Sequence, residues 1–94
     1  MGYKMKENNI KHKLATILDL PKEVILQFPL ISLIGNEEIV IQNHRGLIQY
    51  TSDIIRLKTI ISIIKIEGKN LIIKKITSET IEIKGIVTSL TYEV

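Results

Sequence analysis

The sequence predicts a mainly all-β domain of about eight short, mostly antiparallel strands, arranged as a sandwich, a barrel or a solenoid-like stack and preceded by one or two short N-terminal helices. Three observations predict it. Helical spacing of apolar residues is confined to the first 29 residues. From Leu30 onward the segments are short and rich in β-branched side chains. Turn formers interrupt them at intervals close to the ~8 to 12 residues usual in all-β domains. The chain therefore divides into a basic leader and helical segment over 1–29 and a β domain over 30–94, and its 94 residues leave no room for a second domain.

Ile10, Leu14, Ile17 and Leu18 recur at i, i+4, i+7 and i+8, which lines one face of an α-helix ending near Asp19. Pro21 suits the first position of a second short helix, where its missing N–H is not needed, and Glu23 sits well against the positive end of the helix dipole. Val24, Ile25, Leu26 and Phe28 give that helix an apolar surface, and Pro29 stops it. Strands are expected near 30–34, 38–42, 47–51, 54–58, 61–67, 71–76, 80–85 and 86–93. Between them lie Gly35-Asn36, Asn43 to Gly46, Ser52-Asp53, Gly68 to Asn70 and Thr77 to Glu79. Each can reverse the chain, because glycine and asparagine tolerate positive φ while serine and aspartate bond to their own backbone.

Two details are more specific. Before Gly85 the apolar members of the alternation are Ile81 and Ile83; after it they are Ile86, Leu90 and Tyr92, so the buried parity changes and a bulge or bend is expected at the glycine. The run IISIIKI, Ile60 to Ile66, is apolar on both parities, as in a strand covered on both faces within one chain or by another subunit.

Thirteen basic and ten acidic residues give a net charge of +3, and its location matters. Residues 1–13 hold four lysines against Glu7, so the remainder is balanced. Such a leader suits contact with an anionic membrane surface, or serves as a solvated tail. No cysteine is present, which removes disulfides, thiolate zinc sites and cysteine nucleophiles. No apolar run approaches the ~18 to 20 residues that span a bilayer, and no continuous apolar stretch follows the first lysines as in a signal peptide, so a soluble, cytoplasmic protein is expected.

The inventory for chemistry is thin. His12 and His44 cannot by themselves complete a structural zinc site. Glu37 and Glu38 are adjacent and point to opposite faces of a strand, so they do not form a catalytic pair. Neither GxGxxG, GxxxxGK[ST] nor GxSxG occurs. No enzyme activity, catalytic residue, metal or cofactor is therefore expected. NHRG, Asn43 to Gly46, lies where a hairpin connection is expected, with glycine last at positive φ; Asn43, His44 and Arg45 stand exposed there as candidate partner-binding residues.

The stretches LPKEVILQFPLISLIGNEEIVIQNHRGLIQY and IEGKNLIIKKITSETIEIKGIVTSLTYE, in this order and spacing, resemble the YabP/YqfC family of sporulation proteins over about residues 18 to 93, closest to the YqfC branch. The resemblance implies a protein of the mother-cell compartment of a sporulating bacterium, linked to building the spore envelope; contact through the basic leader would make it peripheral to the membrane. It implies no active site, and a YqfD-type membrane protein as the first partner to test. The chain departs from the family pattern at Thr59 to Ile63, where relatives have a glycine turn and this chain has TIISI.

Two functions follow as expectations. The first is a noncatalytic assembly or scaffold module in spore envelope formation, contacting protein partners or further copies of itself. The alternative is a small β-barrel nucleic-acid-binding module with a basic arm. That alternative is disfavoured because Tyr3, Phe28, Tyr50 and Tyr92 are few for stacking platforms.

Overall fold

The structure, a computed structural model, describes residues 19–93. The amphipathic stretch from Ile10 to Leu18 and the basic leader lie outside the described residues. One helical turn, α1 (Lys22–Ile25), is followed by six strands: β1 (Leu30–Ile34), β2 (Glu38–Gln42), β3 (Gly46–Tyr50), β4 (Ile54–Lys58), β5 (Ile63–Ile76) and β6 (Thr80–Glu93). All pair antiparallel in one sheet of order β1-β2-β6-β5-β4-β3. Pro21 caps α1 from outside rather than occupying its first turn, and Glu23 is in that turn as expected.

Eight expected segments become six strands because the reversal expected at Gly68 to Asn70 does not occur and the bend expected at Gly85 leaves β6 continuous. Gly68-Lys69-Asn70 has turn composition, yet the chain continues through it along the same neighbour, β6. Asn70 takes a positive φ of 55°, and Asn70 and Leu71 together oppose Gly85, where the register slips between Lys69 and Ile72. A second slip between Glu67 and Gly68 leaves Thr88 as the extra residue on β6. The long β5–β6 hairpin thus bends where a turn was expected. The parity change on β6 also lies slightly beyond its expected place: Gly85 supplies the bend, at φ 145°, but Val87 still packs on the core and only from Leu90 does the inward set become even-numbered.

The bend makes two arms from one sheet. In one, β2 and then β1 flank Thr80–Lys84 of β6; in the other, β4 and then β3 flank Ile63–Glu67 of β5. Ile39, Ile41, Ile81 and Ile83 from the first arm meet Ile55, Leu57, Ile64 and Ile66 from the second, with Leu71 at the bend, in one core whose members are at most 2% exposed. Each such side chain contributes roughly 1.5–3 kcal/mol of transfer free energy. The fold is therefore sandwich-like, the arms facing each other across these nine residues.

The β1–β2 and β3–β4 hairpin turns are anchored at the bend in the same way. Gly85 N–H and Val87 N–H donate to Glu37 O (3.0 Å) and Asn36 O (2.7 Å) in the β1–β2 turn. Gly68 N–H and Leu71 N–H donate to Asp53 O (3.0 Å) and Ser52 O (2.8 Å) in the β3–β4 turn. The register slips release backbone donors, and the turns satisfy them.

Three reversals, the β3–β4 turn among them, share one device. Thr51, Thr59 and Thr77 each accept the backbone N–H three residues on, from Ile54 (2.9 Å), Ser62 (3.1 Å) and Thr80 (2.9 Å), through the hydroxyl. Each also donates its own N–H to the carbonyl of that same residue. The threonine, not the serine or aspartate after it, closes the turn. At Thr59 this explains how TIIS reverses the chain without glycine. Ile60 and Ile61 are consequently turn residues, 41% and 53% exposed, and IISIIKI is not a two-faced strand: β5 begins at Ile63 and only Ile64 and Ile66 are buried.

On the outer face of the second arm, Arg56 of β4 grips Glu93 of β6 with two bonds, Nε to Oε1 at 2.8 Å and the NH2 nitrogen to Oε2 at 3.0 Å. These bonds hold the Glu93 carboxyl below the usual carboxylate range, against the desolvation that opposes it. Because the folded value is the lower one, the pair contributes stability above the unfolded carboxylate's range and loses it as pH falls through the folded value. Urea midpoints measured from pH 7 to pH 3 are expected to decline less steeply in E93Q than in the wild type at the acid end.

The glycines at the bend are there for lack of a side chain. A Cβ on Gly68 would run into the Ile86 carbonyl, and one on Gly85 would lie 2.7 Å from Asn70 O. Gly35, at φ 55° in the β1–β2 turn, has open space around it. We expect G85A and G68A each to lower unfolding free energy by about 2–4 kcal/mol, a steric and backbone cost, and G35A by only about 1–2 kcal/mol, from φ alone. Chemical denaturation followed by far-UV circular dichroism measures the difference.

Candidate functional site

Residues 43–46 join β2 to β3, and these strands do not pair. β2 lies between β1 and β6 in the first arm, and β3 pairs with β4 in the second. NHRG is therefore a crossing between arms and not the hairpin its composition suggests. Asn43 and Gly46 take positive φ, 65° and 136°, so a turn conformation is present although a hairpin is not.

Each side chain of the segment fastens a different element. Asn43 Nδ2 donates to Leu26 O (2.9 Å) and Phe28 O (3.0 Å), satisfying carbonyls that α1 leaves free after its single turn. An Arg45 guanidinium nitrogen donates to Gln27 Oε1 (3.1 Å), and Arg45 N–H to Lys58 O (2.7 Å) at the end of β4. His44 N–H donates to Glu79 O (3.1 Å) in the β5–β6 turn.

The His44 ring was expected to stand exposed as a contact group. It is 4% exposed, the one buried polar side chain among the described residues. Gly46 N–H donates to Nδ1 (3.1 Å), which places the ring proton on Nε2, and that nitrogen lies 2.8 Å from Thr77 O. Both nitrogens are taken up by backbone groups, and neither faces a carboxylate. Of the three residues, Asn43 is half-buried, His44 buried and Arg45 exposed. The geometry is that of a clasp holding α1, the β5–β6 turn and β4 against the interarm crossing. Among the described residues no three His, Asp or Glu side chains converge as metal ligands.

The sheet's outer edges offer the other candidate. β3 carries a register irregularity between Leu47 and Gln49, and the hydroxyl of its Tyr50 accepts Ile73 N–H (3.1 Å) from the far half of β5, closing that side of the sandwich. β1 has neither device. Its five residues, LISLI, contain no charge and no proline, and Leu30, Leu33 and Ile34 are 57–58% exposed. Beside it, an open groove of about 230 Å³ runs between Leu33 and the Val87–Leu90 stretch of β6. Sequence reasoning passed over this edge, although LISLI is apolar on both parities, the very signal noted for IISIIKI.

Replacing His44 by alanine removes a buried ring and takes from Thr77 O and Gly46 N–H their part-buried partner, so H44A is expected to cost about 2–4 kcal/mol of stability, whereas R45A costs under about 1 kcal/mol. Urea unfolding of both variants tests the clasp; similar small effects would remove it.

No helix among the described residues is long and apolar enough to cross a membrane. No solved structure matches the chain. A comparison with protein families matches the YabP family over residues 29–94. The Bacillus subtilis (strain 168) protein YqfC, itself uncharacterized, is 33% identical over 87 residues, covering 93% of this chain and 94% of that protein. With a relative matched across nearly both lengths and the β domain matched from Pro29 onward, the chain belongs to the YabP/YqfC family.

Proposed function

We propose that this protein is a noncatalytic assembly module in spore envelope formation, working in the mother cell at the membrane periphery. Family membership fits a sporulation-related protein, and the family is not a known enzyme family. The single observation that carries the assembly reading is the uncharged, unguarded edge strand β1, which presents backbone donors and acceptors together with apolar side chains. Edges of this kind are ordinarily blunted by charge, proline or a bulge in proteins that stay alone. The polar groups that could have served chemistry are otherwise engaged: His44 in the clasp, Arg56 with Glu93.

In this reading the sheet edge supplies a strand-like docking surface, the basic leader adds attraction to acidic lipid headgroups, and a YqfD-type membrane protein is the first candidate partner. Deleting the gene in its sporulating host should lower the yield of heat-resistant spores with a visibly defective envelope. Tagged protein should bring down the YqfD-type protein from the mother-cell fraction. Normal spores in the deletion strain would overturn the proposal.

A further inference from the structure

We propose that β1 is a homodimer interface: two copies pair antiparallel through LISLI about a two-fold axis at Ser32, joining their sheets into one of twelve strands, twice the six of each chain. The inference deepens the assembly reading and rests on it, naming the first partner as a second copy of this chain.

The segment is self-complementary. Closed two-fold contacts require a surface that matches itself. Reversed against itself about Ser32, LISLI sets Leu30 opposite Ile34 of the second copy and Ile31 opposite Leu33 of the second copy. Every facing pair is thus aliphatic except Ser32, which meets its own counterpart and can exchange a hydroxyl hydrogen bond. No like charges oppose one another anywhere along the strand. The faces also agree. Ile31 pairs with Ile41 and Leu33 with Ile39, so both point toward the core side, while Leu30, Ser32 and Ile34 lie on the outer side. In-register pairing about Ser32 therefore keeps core-side residues beside core-side residues.

The groove supports the same occupant. Leu33 forms one wall, and Val87 and Leu90 of β6 the other. A strand added beyond β1 places its own Ile31 and Leu33 along that opening, covering apolar surface that a single chain leaves wet. The opposite edge cannot serve equally, because the β3 irregularity and the Tyr50 bond to Ile73 break its line. An edge contact of this length is small against the ~1,600 Å² of a standard interface, so the dimer should be concentration-dependent.

Ser32 is exposed and makes a clean test. Light scattering of the full chain should show about twice the chain mass at ~100 µM, declining on dilution. S32K and S32E should each run as monomers, since each sets like charges opposite across the axis, and an equimolar mixture of the two should recover the dimer. Because the chain has no cysteine, S32C offers a second readout. Opposed residues of an antiparallel pair lie ~4.5–5.5 Å apart at Cα, inside the range a disulfide spans. S32C should therefore cross-link to a dimer under mild oxidation, while T91C, on the outer face of the other arm, should not. A monomeric wild type, or S32K and S32E proteins that both remain dimeric, overturns the inference. If the monomeric wild type still captures its membrane partner, the dimer falls and the assembly reading stands. If the leader or another protein's strand occupies β1 instead, S32C will fail to join two copies.

Discussion

The whole arrangement depends on two strands crossing at backbone contact distance. Where Gly68 passes Ile86, and Gly85 passes Asn70 and Leu71, no side chain separates the chains. That proximity lets one fourteen-residue hairpin turn sharply while its ladder continues, so β5 and β6 each belong to two arms. A flat sheet of the same six strands would expose all nine core residues on one face. Folding the sheet at the crossing puts Ile39, Ile41, Ile81 and Ile83 against Ile55, Leu57, Ile64 and Ile66, and the apolar surface leaves water. The bend has a cost in released backbone donors, and the hairpin turns at Asn36-Glu37 and Ser52-Asp53 offset it. Core formation and hairpin docking are therefore one event. In a chain of this size, with a core this small, that coupling is what makes the unit cooperative.

Much of this was legible locally, and what was not has a common cause. β1, β2 and β4 fall where their alternation and flanking turn residues place them, and β3 is displaced by one residue. The mainly all-β class follows from the same rhythm. Gly68 to Asn70 reads as a reversal because glycine and asparagine relax the backbone equally for a turn or for a bend. Which one forms is decided by β6, far along the chain. NHRG fails for a related reason. Its composition announces a turn and one is formed, but composition does not state which strand will lie beside which, and β2 pairs with β6 rather than with β3. His44 is expected to be exposed because it lies in a turn, and its ring is instead held by backbone atoms of Gly46 and Thr77. Backbone acceptors leave no trace in side-chain composition. The family resemblance, by contrast, rested on the order of many weak motifs across the chain, and the match to the YabP family bears it out.

The threonine turns show how a reversal can be built without glycine. At Thr59 to Ser62 the Thr59 hydroxyl accepts Ile61 N–H and Ser62 N–H while donating to Ser62 O at 2.7 Å. A side-chain oxygen thus does the work of a relaxed backbone. Thr51 and Thr77 repeat the device. The reward for β5 is a fixed starting point at Ile63, and hence a fixed parity, which keeps Ile64 and Ile66 inward and Lys65 outward.

The two outer strands then differ in a way that bears on function. Both end the same sheet, both are five residues long, and both lie at the margin of the core. β3 is irregular and is drawn inward by its tyrosine. β1 is regular, and Leu33 stands beside a groove that no described residue fills. Selection against stray pairing acts on every exposed edge alike. A chain that guards one edge and leaves the other flat and aliphatic has therefore either met no such pressure at β1 or uses the strand for contact. Three side chains left more than half exposed there forgo burial that a small domain needs. A surface that stays exposed to water in isolation, yet is regular in its hydrogen-bonding geometry, is one that the proposed second strand would complete.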